Sequence, residues 1–183
     1  LTVPTTLEEF EKICDTFVAN KIVPIALGGA LQWPATHNWF ELVLYKFDRT
    51  LANDYQMVAK DVDLKGEAFR FGTEKFAEYV KKGYFDPNVT GIDYDNSHPG
   101  FHTEQKYPLL LTGSWLYKVI VDNAKFEWDV FLMPGKSLNT GSGGNLLVVP
   151  QNAKNKDLAY EYLDLVLGKD AQTVMANAGG IPV

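Results

Sequence analysis

Apolar residues at Leu7, Phe10, Ile13, Cys14, Phe17 and Val18 recur at intervals of three and four, which is the spacing of one helix face. Thr6 and Glu9 stand in capping-box spacing just ahead of them, and Pro4 keeps the preceding chain extended, so the helix begins near Leu7 and ends by Asn20. Residues 22–27 form a short apolar run closed by Gly28 and Gly29, the pattern of a buried strand entering a tight turn. A second helix follows from Ala35 or His37 to Leu51, with Trp39, Phe40, Val43, Leu44 and Phe47 on its apolar side. A third, rich in Phe and Tyr, runs from about Gly66 to Lys82 and stops at Gly83, ahead of Asp86 and Pro87.

Farther along, residues 93–100 are turn formers that predict a loop, with a brief helix up to Gln105. Residues 107–112 read as a strand, 115–123 as a helix, 126–133 as a strand, 134–144 as an exposed Gly, Ser and Asn loop, and 145–149 as a strand closed by Pro150. Two amphipathic helices end the chain. The first is N-capped by Asn155, turns Leu158, Ala159, Tyr162, Leu163 and Val166 inward and stops at Gly168; the second covers about 170–178. Helices alternating with short strands predict an α/β layered fold. No internal repeat or low-complexity segment interrupts it. The expected boundary lies at residues 149–152, where a strand passes into a polar connector.

Charge narrows the function. The chain has 183 residues with 17 Lys and Arg against 23 Asp and Glu, a net −6, and its longest basic cluster is Lys81 and Lys82, so nucleic acid is excluded as a partner. Residues 22–40 lack Asp, Glu, Lys and Arg, but Pro24, Gly28, Gly29, Gln32, Pro34, Thr36, His37 and Asn38 make that stretch unfit to cross a bilayer. The N-terminus has no signal-peptide pattern, and the chain, starting at Leu1 and stopping after Val183, reads as cut at both ends. The single Cys14 rules out an internal disulfide and a cysteine metal cluster; its apolar neighbours predict a buried, inert thiol.

No catalytic constellation emerges. Gly28 and Gly29 follow a strand, but neither G-x-G-x-x-G nor G-K-[ST] is present to cradle a phosphate. His98 and His102 have the spacing of two ligands on one helix face, yet Pro99 and Gly100 between them break the helix, so they are expected to face solvent, and no metal or other cofactor is expected. Ser114 and Ser142 both lack the G-x-S-x-G spacing of a serine-nucleophile elbow. A carboxylate pair for glycoside hydrolysis is not excluded by spacing.

The stronger signal is aromatic and non-ionic. Trp33, in a loop after the glycine turn, and Trp115, at a strand's end after Gly113 and Ser114, lie off every apolar helical stripe. An indole covers the C–H face of a sugar ring at low entropic cost, while amides such as Gln32 and Asn145 and the backbone of Gly143 and Gly144 satisfy hydroxyls. By chemistry alone, a neutral sugar-like ligand and plain packing both account for Trp33 and Trp115. Trp39 and Trp128 fit their element patterns and are expected in the core.

A resemblance adds to this. Pro4-Thr5-Thr6-Leu7-Glu8-Glu9-Phe10, then Pro24-Ile25-Ala26-Leu27-Gly28-Gly29 with Trp33 after it, resembles the start of the second lobe in extracellular solute-binding proteins of ABC-type sugar importers, the maltose-binding-protein-like family. The segment from Phe101 to Gln105, leading into Tyr107-Pro108-Leu109-Leu110-Leu111-Thr112-Gly113-Ser114-Trp115, is similar to that family's F-x-x-G-x-x-A-M-x-x-x-G-x-W region, with Gln105, Pro108 and Leu109 departing from the usual small residues. Leu132-Met133-Pro134-Gly135, Gly143-Gly144, Leu146-Leu147-Val148-Val149-Pro150, the helix from Asn155 to Leu163 and the stretch from Gln172 to Val183 follow in the family's order.

The resemblance implies a lobe of the type II periplasmic-binding-protein kind, a mixed sheet flanked by helices. Residues 1–149 would be the second lobe, and residues 150–183 a hinge and helix pair packing on a first lobe that lies upstream. It further implies an extracytoplasmic protein, periplasmic or a cell-surface lipoprotein, which captures a carbohydrate between two lobes without catalysis and delivers it to a membrane permease. Trp33 and Trp115 would face the cleft, and the segment from Gly143 to Asn145 would lie near the hinge. The alternative of a different class is a carbohydrate-active hydrolase or lyase domain, which would turn its sugar over.

Overall fold

The computed structural model describes residues 2–58, 61–136, 138 and 147–178. The first helix, α1, covers Leu7–Ala19, and Thr6 caps it by accepting the Glu9 N–H at 3.2 Å. The return half of the box reaches one residue farther than the spacing predicts: the Glu9 carboxylate accepts from the backbone N–H of Thr5 at 2.7 Å and from its hydroxyl at 2.9 Å. These bonds, the Thr5 N–H first, lower the Glu9 pKa.

Residues 22–27 yield a strand only at β1, Ile25–Ala26. It pairs in parallel with β2, Leu109–Leu110, in the register Ile25 to Leu109 and Ala26 to Leu110. The Leu109 N–H donates to the Pro24 carbonyl at 3.0 Å at the start of this ladder, and on the other side of β1 the Ile25 N–H donates to the Tyr84 carbonyl at 3.1 Å. Among the described residues the sheet has these two strands. The strand expected over 126–133 does not form, and the Val130 N–H turns to the Asp129 carboxylate. Its alternation survives nonetheless: Phe131 and Met133 pack on the core while Val130 and Leu132 are exposed. Residues 147–149 form no strand, and Asn145 and Leu146 lie outside the described residues.

The long helix expected from residue 35 or 37 to 51 is two. Helix α2 spans Trp33–Val43, a 3₁₀ turn covers Leu44–Lys46, and Phe47 is extended before α3, Arg49–Gln56. Asp48 restarts the helix by accepting the Leu51 N–H at 2.7 Å, a capping signal that the continuous apolar stripe concealed. Helix α4, Glu67–Lys82, runs as predicted from Gly66 to a left-handed Gly83. The loop expected over 93–100 instead holds two short helices, α5 at Tyr94–Ser97 and α6 at Pro99–His102. A 3₁₀ turn at Ser114–Leu116 leads into α7, Tyr117–Asn123, and α8, Lys156–Leu167, and α9, Lys169–Asn177, close the order. Among the described residues no helix is long and apolar enough to cross a membrane.

Two compact units divide the chain: Leu1–Thr112 with Ala124–Thr140, and Gly113–Asn123 with Gly141–Val183. The first holds the core. Leu7, Phe10 and Cys14 of α1 meet Ile25, Leu27, Leu42, Tyr79, Tyr84 and Phe85, and burial pushes the Cys14 thiol up to about 12, the inert state expected. A second cluster joins Val43, Leu44, Phe47, Ala68 and Phe69, with Trp39 packed against it as anticipated and its indole N–H on Thr73 at 3.0 Å. Glu41 of α2 and Lys136 form a buried ion pair in this unit, beside a hydrogen bond from the Tyr45 hydroxyl to the Pro134 carbonyl. Gln105, at the position where the resembling family favours a small residue, adopts a left-handed φ of 54°.

In the second unit α8 and α9 contact each other, and neither contains a buried residue. Ala159, Leu163 and Val166 are half-buried as the helix period predicts, but Leu158 and Tyr162, expected inward, stand exposed. Both sides of α8 are apolar, so half-covering one stripe, Ala159, Leu163 and Val166, leaves the other uncovered.

Candidate functional site

The aromatic signal lies in the first unit, around the turn after β1. Gly28 permits it: a Cβ there would strike the backbone of Asp93 and Tyr94, so only a bare backbone lets the two segments meet. The Gly29 N–H then donates to Val89 at 2.9 Å and the Ala30 N–H to Ile92 at 3.0 Å. Asp93 caps α5 by accepting the Asn96 N–H at 2.8 Å, which fixes Tyr94 as the first residue of that helix.

Trp33 and Tyr94 are thereby brought into contact, their ring centroids 4.6 Å apart and their planes tilted by 51°. The structure corrects the loop placement of Trp33, which opens α2, with Pro34 following in the first turn where no backbone N–H is required. Gln32 is the residue before that helix, exposed and at a φ of 64°. The Trp33 indole also meets His37 edge-on at 5.3 Å and is 36% exposed. Behind it the row continues inward from Tyr94 to His98 at 4.9 Å and from His98 to His102 at 5.2 Å. The Tyr94 hydroxyl shares a 2.9 Å hydrogen bond with Thr112.

The histidines depart from expectation. His98 Nδ1 and His102 Nε2 are 2.9 Å apart, His102 is buried, and its Nδ1 lies 2.8 Å from the Thr103 hydroxyl. Pro99 does not break the alignment because it occupies the first position of α6, where it costs no hydrogen bond. Burial lowers the pKa of both imidazoles; for His98 the neighbouring His102 adds to this, while Asp95, 3.9 Å away, opposes it. Among the described residues no three His, Cys, Asp or Glu side chains gather as a metal site.

Trp115 belongs to the second unit. It sits in the 3₁₀ turn at Ser114–Leu116, 53% exposed, with its six-membered ring folded over Gly113, where any Cβ would collide with it. Trp128 is half-buried and lines an open hollow with Phe126, Glu127 and Asp129. Gly143, Gly144 and Asn145 lie outside the described residues.

The profile of the bacterial extracellular solute-binding proteins matches residues 1–173. The chain belongs to that family. Over its full length it is 27% identical to a multiple sugar-binding protein of Streptococcus mutans, of which it covers 45%. A structure from work on xylan utilization by the thermophilic bacterium Caldanaerobius polysaccharolyticus is 23% identical with a TM-score of 0.73, over 99% of this chain and 48% of that one. A sugar transporter of Bacillus licheniformis in complex with stachyose is 13% identical with a TM-score of 0.72, over 100% of this chain and 50% of that one. The chain thus spans about half the length of the relatives it matches. The Trp33 row is a partly open aromatic face of the first unit.

Proposed function

We propose that this chain forms part of a sugar-capturing protein of an ABC-type importer: a carbohydrate is gripped between two lobes, without a bond made or broken, and handed to a membrane permease. The family match over residues 1–173 carries this reading. The names of its relatives, which speak of multiple sugars, xylan and stachyose, favour an oligosaccharide as the solute.

In this proposal residues 1–149 form one lobe of the type II periplasmic-binding-protein kind, with a mixed sheet flanked by helices, outside the cytoplasm in the periplasm or on the cell surface. Residues 150–183 carry the helix pair that packs on the companion lobe, which would cover the apolar stripe left open on α8. Trp33 supplies one indole for stacking on sugar rings and Trp115 another, while Gln32, Asn145 and the amides of Gly143 and Gly144 serve the hydroxyls. Lobe closure is then a hinge motion, driven by the greater affinity of the closed form for the sugar.

Calorimetric titration with stachyose, xylo-oligosaccharides and maltose tests the reading. Were a complete two-lobe protein to bind at about 1 μM, an equal share for each lobe leaves this chain near 1 mM. Trp33→Ala and Trp115→Ala are each expected to abolish that binding with the unfolding transition retained. Micromolar affinity in this chain alone would refute the sharing between lobes. Conversion of the sugar would refute capture, and collapse of the fold in either variant would return that indole to core packing.

A further inference from the structure

We propose that the His98–His102 pair, acting through Tyr94, positions the Trp33 face and releases it when a second proton enters the pair. The consequence for sugar rests on the function proposed above; the coupling itself does not.

The geometry limits how many protons the pair can hold. At 2.9 Å, Nδ1 of His98 and Nε2 of His102 share one hydrogen bond, which needs an N–H on one ring and a lone pair on the other. Two neutral rings meet that condition, and so does a pair with one added proton. When both rings are imidazolium, two N–H groups point at each other and two like charges face across the contact. The pair must then open. His102 is buried and held at Thr103, so the movement falls on His98, whose ring stands between it and Tyr94. Tyr94 lies in turn against Trp33.

The charged and titratable groups around the pair come from several elements. On α5, Asp95 approaches His98 and favours its protonated form. The Tyr107 ring fills the space beside Gly100 of α6, and its hydroxyl bonds Asp86, which also pairs with Lys106 at 3.1 Å. His37 of α2 reaches Trp33 from the other side. Burial of both histidines acts with the geometry, since it too disfavours charge. The sign follows: the neutral pair supports the face fully above the ordinary histidine value near 6.5, and the support is lost as the pH falls through the lower values of the folded protein. Tyr94, His98 and His102 are positioning residues in this scheme, with no contact to sugar required.

The test is an NMR titration of the 183-residue chain from pH 8 to 5. It follows the Trp33 indole N–H, assigned by its absence in Trp33→Phe, and the histidine ring C–H signals. The two rings are expected to titrate in separate steps, and the Trp33 signal to move in step with the second of them, at a midpoint below that of free histidine. His37→Asn should keep this movement and His98→Asn should remove it. Should His98→Asn fail to fold, the wild-type ring signals decide alone: independent titration of both rings near 6.5, or a Trp33 shift that follows His37, overturns the proposal. Stachyose affinity is expected to weaken about tenfold from pH 7.5 to 5, a difference of about 1.4 kcal/mol. A coupled Trp33 titration with no sugar bound at any pH refutes the sugar reading and leaves the positioning intact. Sugar binding with an uncoupled Trp33 does the reverse.

Discussion

Helices α4 and α8 both read as amphipathic, yet one is locked into a core and the other is half bare. Along α4, Ala68, Phe69, Gly72 and Tyr79 are buried, and at Gly72 the helix meets α2 so closely that a Cβ would stand 2.8 Å from the Val43 backbone nitrogen. Along α8 nothing is buried, and Leu158, Tyr162 and Leu165 are 64%, 62% and 69% exposed at a helical spacing of four and three. The difference lies in the number of apolar stripes. A helix with one stripe is satisfied by one neighbour, whereas a helix with two needs a partner on each side. An apolar stripe therefore announces that something covers it without saying what.

The largest break in that contrast should come from Lys136→Ala. It leaves the Glu41 carboxylate buried without the partner described above, and loss of one member of such a pair costs about 3–5 kcal/mol, to be read by urea unfolding. Gly72→Ala should cost about 1–3 kcal/mol through overpacking against Val43, with slowed amide exchange lost first around α2 and α4. At the other end, Leu158→Ser should change stability by no more than about 0.5 kcal/mol, because the side chain is already in water. Its effect should appear in light scattering instead, as reduced association between copies of the chain. A Leu158→Ser cost equal to that of Gly72→Ala would show that α8 is covered after all and would erase the distinction.

The candidate site is legible in part. Trp33 stands out in the sequence because an indole beside a double glycine has no helical stripe to belong to, and the structure leaves it partly open as the start of α2. Tyr94 was hidden among turn formers. The signal that could have found it is the Asp93 to Asn96 spacing, a helix start within an apparent loop. The His98 and His102 spacing is visible in the sequence, but the pattern alone makes Pro99 a helix breaker, whereas at the first helical position it does no harm. The split between α2 and α3 escaped for a related reason: hydrophobic period sees the face a helix presents, while Asp48 controls where the backbone hydrogen bonds begin again.

Local chemistry is what the residues determine by themselves. Caps, glycine stops and apolar periods depend on neighbours within a few positions, so α1, α4, α8 and α9, the inert Cys14, the absence of phosphate motifs and the family resemblance can all be read along the chain. Tertiary structure alone decided that β1 pairs with β2, 84 residues later at Ile25 and Leu109, and that Gly28 admits the Asp93 backbone and so sets Tyr94 on Trp33. It also decided that Glu41 takes Lys136 as its buried partner. Those outcomes depend on which distant groups can be desolvated together, and no local pattern records that choice.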